Sequence, residues 1–316
     1  MQIDRKLAAL WLLFVLLLTI FLVLVYFFYV LVLAPKPAAK ADSRLLHVAS
    51  IYGFGKSAED LFNRPHDVCV DREGNLIVSD TRNSRVVKIT PGGRLIRIYK
   101  DRFVVRPLGV SVAGNGSIYV ADRFSGALVI FDPYGGVKRR LSVSGPLKPC
   151  VYEDRVYLAT KESVAVLSLR GDFLFHFGSY GREEGMFSFP NGLSVDRERI
   201  YVADTNNQRV QCFTRRGELL WSKGSPGTKN GGSLFSLPAG IIYYNGKLYV
   251  VDGFADAILM LDAKTGKLIK KFGGKKGDAD GEFNQPTGID HLEKDLFVVA
   301  DKYNDRIQLV RLPIDK

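Results

Sequence analysis

The sequence has 316 residues, of which 47% are hydrophobic and 24% are charged. This balance excludes a disordered or fibrous chain and is typical of a globular protein with a sizeable core. Three cysteines, Cys69, Cys150 and Cys212, are too few and too widely spaced for a disulfide framework. The net charge of +11 indicates a surface that attracts anions.

An uncharged apolar segment of 29 residues lies between Lys6 and Lys36. About 20 apolar residues in helical form cross the hydrocarbon layer of a membrane, whereas the apolar part of a signal peptide runs about 7 to 15 residues. The length therefore predicts a retained transmembrane helix, although AAKA at residues 38–41 offers a cleavage site. Because the head before the span is short, we expect a single-pass protein of the cell membrane with the remaining chain outside the cytoplasm.

The predicted domains are a head, a transmembrane anchor, a linker and a repeat region, at residues 1–6, 7–34, 35–43 and 44–316. The repeat is an apolar run that ends in Asp, four turn residues and a second apolar run, as in YVADTNNQRVQCF at residues 201–213. Five copies are clear, and a sixth has Thr160 in place of the Asp. We assign one proline to the start of each unit, with spacings of 41 to 48 residues: Pro65, Pro107, Pro149, Pro190, Pro238 and Pro286.

Recurrence near this length is typical of arrays with about four strands in each unit. Each unit indeed shows four short alternating runs separated by Gly, Asn and charged residues. One such sheet cannot bury both faces, so the units must stack, and a closed ring leaves few exposed edges. The sequence therefore predicts an all-β, six-bladed β-propeller. Its last unit stops after a third strand at residues 306–312, and residues 45–54 are expected to close that blade.

The cycle of Phe-Gly, Pro, Val-Asp and Ile-Tyr-Val-Ala-Asp, clearest from Phe177 to Gly217, resembles the NHL repeat. Asp204 and Arg209 match the Asp and Arg of that family, and the resemblance covers about residues 44–312. It is weakest in the third unit. The resemblance implies a β-propeller, which agrees with the count of strands and units.

One set of repeated residues is expected to maintain the blades. An Asp at the end of the second strand can accept hydrogen bonds from the following turn, and an Arg five residues later can pair with it in three units. A residue type that recurs at equivalent positions in most units maintains the unit. The set is Asp80, Asp122, Asp204, Asp252 and Asp301, with Arg85, Arg209 and Arg306.

Function is expected where the units differ. The residues after the prolines open the innermost strands and should surround the mouth of a central channel, together with the turns between second and third strands. Their mixture of arginine, amide and aromatic side chains suits a protein, peptide or glycan ligand. The predicted binding face consists of His66, Asp67, Arg82, Arg123, Phe124, Asn191, Asn206 and Tyr303.

Two alternatives remain open. Some NHL-like propellers resemble the lyase that completes peptide amidation, in which histidines from several blades hold zinc. Only His66 stands at such a position here, and a catalytic zinc normally takes three protein ligands. A lactonase-like site would have only Asp67 and Asn191 to build on. The sequence thus predicts no catalytic residue, metal or cofactor, and favours a non-catalytic module that docks a ligand or protein, as a sensor or a scaffold of an envelope complex.

The other alternative is RNA binding, because certain NHL domains bind RNA on a basic face. Residues 1–43 carry a net charge of +2, which leaves +9 on the repeat region. Such an excess attracts a polyanion. A propeller outside the cytoplasm would not meet RNA, so nucleic acid is expected as a partner only if the repeat region is cytoplasmic. The oligomeric state stays open.

Overall fold

A computed structural model describes residues 45–224 and 233–313, and six positions between residues 11 and 21. Apart from those six positions, the predicted anchor at residues 7–34 and the linker at 35–43 lie outside the described residues. Among the described residues, no helix has the length and apolar character that a membrane crossing requires. The chain divides into two compact units, Met1–Lys40 and Ala41–Lys316, and the second contains the repeats.

Twenty-four strands form six antiparallel sheets of four, the blades, among the described residues. Blade 1 consists of β2 (Pro65–Val70), β3 (Leu76–Asp80), β4 (Arg85–Ile89) and β5 (Leu95–Tyr99). Blade 2 consists of β6 (Pro107–Val112), β7 (Ile118–Asp122), β8 (Ala127–Phe131) and β9 (Val137–Ser142). Blade 3 consists of β10 (Pro146–Tyr152), β11 (Arg155–Thr160), β12 (Val164–Ser168) and β13 (Phe173–Phe177).

Blade 4 consists of β14 (Pro190–Val195), β15 (Arg199–Asp204), β16 (Arg209–Thr214) and β17 (Leu219–Gly224). Blade 5 consists of β18 (Pro238–Tyr244), β19 (Lys247–Asp252), β20 (Ala257–Asp262) and β21 (Leu268–Gly273). Blade 6 consists of β22 (Pro286–Glu293), β23 (Leu296–Asp301), β24 (Arg306–Arg311) and, from the other end of the chain, β1 (Leu46–Ile51). The prediction of an all-β, six-bladed β-propeller is confirmed.

The middle strands of each blade are the most apolar because they are buried on both faces. In blade 2, every residue of β7 is buried. The outermost strands are wetter: Leu95 to Ile98 of β5 are exposed, and only Tyr99 is buried. This gradient explains why the second and third strands give the clearest signal in the sequence, since a strand buried on both faces reads as a continuous apolar run.

The two ends of the repeat region meet in blade 6. Strand β1 runs antiparallel to β24, with Leu46 opposite Arg311 and Ile51 opposite Ile307. Ile51 and Ala49 pack into a core shared with blade 1. The first strands of neighbouring blades contact one another around the whole ring, from β2 to β6 and onward to β22 and back to β2. The ring is therefore closed.

The assignment of Pro149 as the repeat proline of the third unit is wrong. Pro146 pairs with Thr160 across β10 and β11, as Pro107 pairs with Asp122 in blade 2. The segment PLKP carries prolines at both positions, and only the strand register distinguishes them. The residues that follow the proline in blade 3 are consequently Leu147 and Lys148.

Candidate ligand-binding site at the channel mouth

The repeat prolines define one end of the ring, because each pairs with the last residue of its second strand, as Pro190 pairs with Asp204. This end, which we call the mouth, also carries the turns between second and third strands. Third-to-fourth turns lie at the opposite end. Strand β1 enters at that opposite end, because Leu46 pairs with Arg311 and Ile51 lies nearer the mouth.

The repeated aspartates fix the loops that lead into the first strands. Asp204 accepts a hydrogen bond from the backbone N–H of Ser188 at 2.7 Å, and its other oxygen accepts one from Nε of Arg209 at 2.8 Å. The arginine also donates to the carbonyl of Met186 in the same loop, at 2.8 Å. In this blade the following turn contributes the side chain of Asn207, at 2.8 Å.

The same arrangement recurs in blades 1 and 6, where Asp80 pairs with Arg85 and Asp301 with Arg306, at 2.7 and 2.8 Å. In blade 2, Asp122 has no arginine and accepts from the backbone N–H groups of Val105 and Ser125, at 2.6 and 2.9 Å. The aspartates thus fix the positions of the residues that precede the prolines at the mouth. They do so both in the blades where an arginine pairs with the aspartate and in blade 2, where none does.

A cavity of about 930 Å³ occupies the mouth. We call it the mouth cavity. Of the predicted binding face, five residues line it: His66, Arg82, Arg123, Asn191 and Asn206. Further lining residues include Arg64, Arg106, Leu147, Phe189, Leu237 and Lys302.

The charge of the mouth cavity has one sign. Its cationic side chains are Arg64, Arg82, Arg106, Arg123 and Lys302, and no Asp or Glu is among the lining residues. Within the described ranges, none of these five side chains forms an ion pair. Burial, with the nearby charges of two arginines, lowers the pKa of Lys302. The cavity is therefore an electropositive concavity that favours an anion.

Four of these five cationic groups lie over aromatic rings. The guanidinium of Arg64 lies 4.7 Å from the ring centre of Tyr303, and Lys302 Nζ lies 5.2 Å from the same ring. Cation–π contact uses the face of a guanidinium and leaves its N–H edges free to donate. The guanidinium carbons of Arg106 and Arg123 likewise lie over aromatic rings, 5.0 Å from the ring centre of Phe124 and 4.5 Å from that of Phe189.

The described cations of the cavity come from half of the ring. They come from three consecutive blades: Lys302 from blade 6, Arg64 and Arg82 from blade 1, and Arg106 and Arg123 from blade 2. Blades 3, 4 and 5 contribute neutral side chains to the lining, namely Leu147, Phe189, Asn191, Thr205, Asn206 and Leu237. The cavity therefore presents both cationic and neutral groups to a ligand, and Arg123 reaches from blade 2 to Phe189 of blade 4.

An ion pair lies beneath the mouth cavity. Four blades have glycine two residues after the proline, because neighbouring first strands nearly touch there; a Cβ on Gly192 would lie 1.9 Å from the carbonyl oxygen of Ala239. Blades 1 and 3 have Asp67 and Lys148 at that position, and these two side chains form a buried ion pair. Lys148 also donates to the carbonyl of Val110 at 3.1 Å, and Asp67 accepts from the N–H of Val110 at 2.8 Å.

His66 lies beside this pair and stays neutral at physiological pH. Burial, together with the positive charges of Lys302 and Lys148, lowers the pKa of His66 to about 3. No group of three His, Cys, Asp or Glu side chains that could bind a metal occurs in the parts of the chain that the structure describes. The described residues around His66 therefore do not supply the three protein ligands that a catalytic zinc normally takes.

Three residues of the predicted binding face do not line the cavity. Asp67 is buried with Lys148, while Phe124 and Tyr303 are exposed at the rim and contact lining cations. Arg64 and Arg106 were not predicted. Their signal in the sequence is their place directly before Pro65 and Pro107. The fold and this site define a repeat propeller with a cationic mouth.

Comparison with known proteins identifies the repeat. The NHL repeat model matches residues 62–89 and 187–213, in blades 1 and 4. Protein brain tumor of Drosophila melanogaster is 29% identical over 107 residues, which are 33% of this chain and 10% of that protein. The probable peptidyl-alpha-hydroxyglycine alpha-amidating lyase pgal-1 of Caenorhabditis elegans is 26% identical over 184 residues, which are 54% of this chain and 41% of that protein.

Among solved structures, virginiamycin B lyase from Staphylococcus aureus superposes with a TM-score of 0.56 and 15% identity, over 78% of this chain and 80% of that one. At that identity the likeness concerns the fold alone. The chain carries NHL repeats, and its relatives include another NHL-repeat protein, NHL repeat-containing protein 2 of Homo sapiens, at 31% identity over 30% of this chain and 15% of that protein. The chain matches less than half the length of each curated relative described above.

Proposed function

We propose that this protein is a non-catalytic binding module that takes an anionic ligand or partner in its mouth cavity. The observation that supports it is the set of five cations without a carboxylate in the cavity lining. Like charges that converge without counterions repel one another, and an anion relieves that repulsion. Such an arrangement costs stability in the empty protein, so its value lies in recognition.

Lyases among the relatives and structural neighbours raise a second possibility, an enzyme. The side chains around His66 favour binding over catalysis. No second histidine or cysteine stands with His66 in the cavity lining, and the pKa of this imidazole, about 3, suits neither a base nor an acid near neutral pH. Metal analysis of the purified full chain and of its His66→Ala variant tests this alternative, and a stoichiometric metal that the substitution removes would favour the enzyme.

The binding proposal is tested by crosslinking neighbours to the full chain in native membranes. A triple variant with Arg82, Arg123 and Tyr303 changed to Ala should lose specific neighbours. A matched variant, Arg94→Ala with Arg170→Ala, removes exposed arginines from turns at the opposite end and should retain them. Survival of all neighbours in the triple variant would contradict the proposal.

We further propose that residues 7–34 anchor the propeller to the cell membrane, outside the cytoplasm. The support is the long uncharged apolar run and the short head before it. Protease added to cells with intact inner membranes should then digest or release the propeller. Protection of the propeller, with digestion only after lysis, would place it in the cytoplasm and make RNA a candidate ligand.

A further inference from the structure

The five cations of the mouth cavity fall into two groups by the aromatic rings and charges that they contact, and we call these groups clusters. The Tyr303 cluster consists of Arg64, Lys302 and Arg82; the first two share the ring of Tyr303, and the charges of both arginines act on Lys302. The phenylalanine cluster consists of Arg106, stacked on Phe124, and Arg123, stacked on Phe189. The two clusters contact different rings, and each offers cationic N–H donors to an oxyanion.

Neutral hydrogen-bonding groups face the clusters from blade 4. Asn191 and Asn206 line the cavity there. The side chain of Asn191 has no hydrogen-bond partner among the described residues. The side chain of Asn206 has only a long contact, 3.5 Å from its Nδ2 to the hydroxyl of Ser188. An asparagine side chain offers one donor group and one acceptor, which is the complement of a peptide bond.

We infer that the mouth cavity binds an acidic peptide segment, with one carboxylate at the Tyr303 cluster and a second at the phenylalanine cluster. This inference rests on the proposed binding function and names its ligand class. The neutral main chain of the segment crosses the cavity and hydrogen-bonds to Asn191 and Asn206. Carboxylates suit the free N–H edges of stacked guanidinium groups, which donate two parallel hydrogen bonds.

The distribution of charge favours a peptide over other polyanions. A nucleic acid carries a phosphate at every nucleotide, and proteins that track it present a continuous basic groove. Among the described residues, three consecutive blades supply the cations of the cavity and the other three supply neutral lining groups, so regularly spaced phosphates would also meet neutral groups. A peptide places charge only at chosen side chains and keeps its backbone neutral.

The inference is tested by fluorescence anisotropy with labelled peptides and the full chain in detergent. The probes contain two glutamates separated by one to about six neutral residues, since each residue of an extended chain spans about 3.3–3.6 Å. Matched probes have one or both glutamates replaced by glutamine. Heparin and a single-stranded oligonucleotide serve as anions of other classes, and all measurements share one salt concentration because these interactions are screened.

Two double variants address the clusters: Arg64→Gln with Lys302→Gln, and Arg106→Gln with Arg123→Gln. Within the described residues none of the four side chains donates a hydrogen bond to the protein, so both variants should fold normally. The control is Arg94→Gln with Arg170→Gln at the opposite end. We expect one preferred glutamate spacing, and about a tenfold or greater loss of affinity from either double variant and from either Glu→Gln change in the peptide.

The outcomes separate this inference from the proposed function. Equal binding of the one-glutamate and two-glutamate probes would overturn the inference, as would heparin or the oligonucleotide binding through the same residues while no peptide binds; the proposed anion-binding function would then stand. If no probe binds and the crosslinked neighbours survive the triple variant, both fail. Loss of affinity in the control equal to that in the double variants would also overturn the inference, because the binding would then be diffuse.

Discussion

Arg85, Arg209 and Arg306 are buried guanidinium groups, and each has one carboxylate as its counterion. Arg306 is 1% exposed and donates to three backbone carbonyls as well as to Asp301. A buried charge of this kind is stable only while its partner stays ionised. Among the described residues, the aspartates of blades 2 and 5 have no arginine partner. The repeated aspartate therefore contributes differently to the free energy of unfolding from blade to blade.

That difference gives a matched pair of substitutions, Asp204→Asn and Asp122→Asn. Asp204→Asn leaves the buried guanidinium of Arg209 without a counterion, and we expect a loss of about 3–5 kcal/mol in the free energy of unfolding. Asp122→Asn removes no counterion and keeps an oxygen that can accept from Val105, so we expect a loss of about 1 kcal/mol. Chemical denaturation measures both, and equal losses would contradict the assigned role of the arginines.

His66 makes stability depend on pH. Its pKa in the folded protein, about 3, lies below the ordinary value of 6.5, so the unfolded chain binds the proton first as pH falls. The neutral imidazole therefore contributes stability that is fully present above pH 6.5 and is lost progressively toward pH 3. Relative to His66→Gln, the wild-type chain should lose up to about 3 kcal/mol between pH 7 and pH 4. A difference between the two proteins that stays constant over this range would show that the imidazole is not held neutral.

At the scale of elements, β1 replaces the outer strand that blade 6 lacks. It covers the edge of β24, which would otherwise expose unpaired N–H and C=O groups. Its inward side chains belong to the core between blades 6 and 1. The strand therefore contributes to both the sheet and the closure of the ring.

Deletion of residues 45–56 should open the ring. We expect the truncated chain to unfold below the temperature of the intact chain, to lose a single cooperative transition and to self-associate through the exposed edge of β24. Thermal unfolding and light scattering measure these effects. A synthetic peptide of residues 45–56, added in excess, should restore stability by mass action. A truncated chain that unfolds at the original temperature would remove the closing role of β1.

Much of this element structure could be predicted from the sequence, because middle strands buried on both faces give a strong apolar signal. The register of β10 could not. Pro146 and Pro149 are equivalent in composition, and only pairing with Thr160 selects the first. The error concealed Lys148, the partner of Asp67.

Only some of the residues that line the mouth cavity could be predicted from the sequence, again because tertiary contacts decide the rest. Turn positions such as Arg82 and Arg123 follow from counting along the repeat. Arg64 and Arg106 precede the prolines in loops whose course is set by hydrogen bonds to Asp80 and Asp122, and such tertiary contacts leave no period in the sequence.

For the whole molecule, a ring of similar blades should not depend on which blade holds the chain ends. Blade 6 is closed by three strands from one end and one from the other. Opening the chain in the β8–β9 turn, between Tyr134 and Gly135, would give blade 2 the same division. Leu46 and Arg311 are paired, so a short Gly-Ser linker can join the original ends of the repeat region.

We expect this circular permutant to fold into the same propeller, since the contacts of each blade with its neighbours are unchanged. Its unfolding temperature should lie within about 5–10 °C of a control chain that starts at residue 45 without permutation, because the new break removes only turn contacts such as the hydrogen bond from Arg97 to the carbonyl of Tyr134. Calorimetry measures the difference, and binding of the two-glutamate peptides reports on the mouth. A permutant that fails to fold while the control folds would mean that blade 6 is a privileged seam and that stability is not shared around the ring.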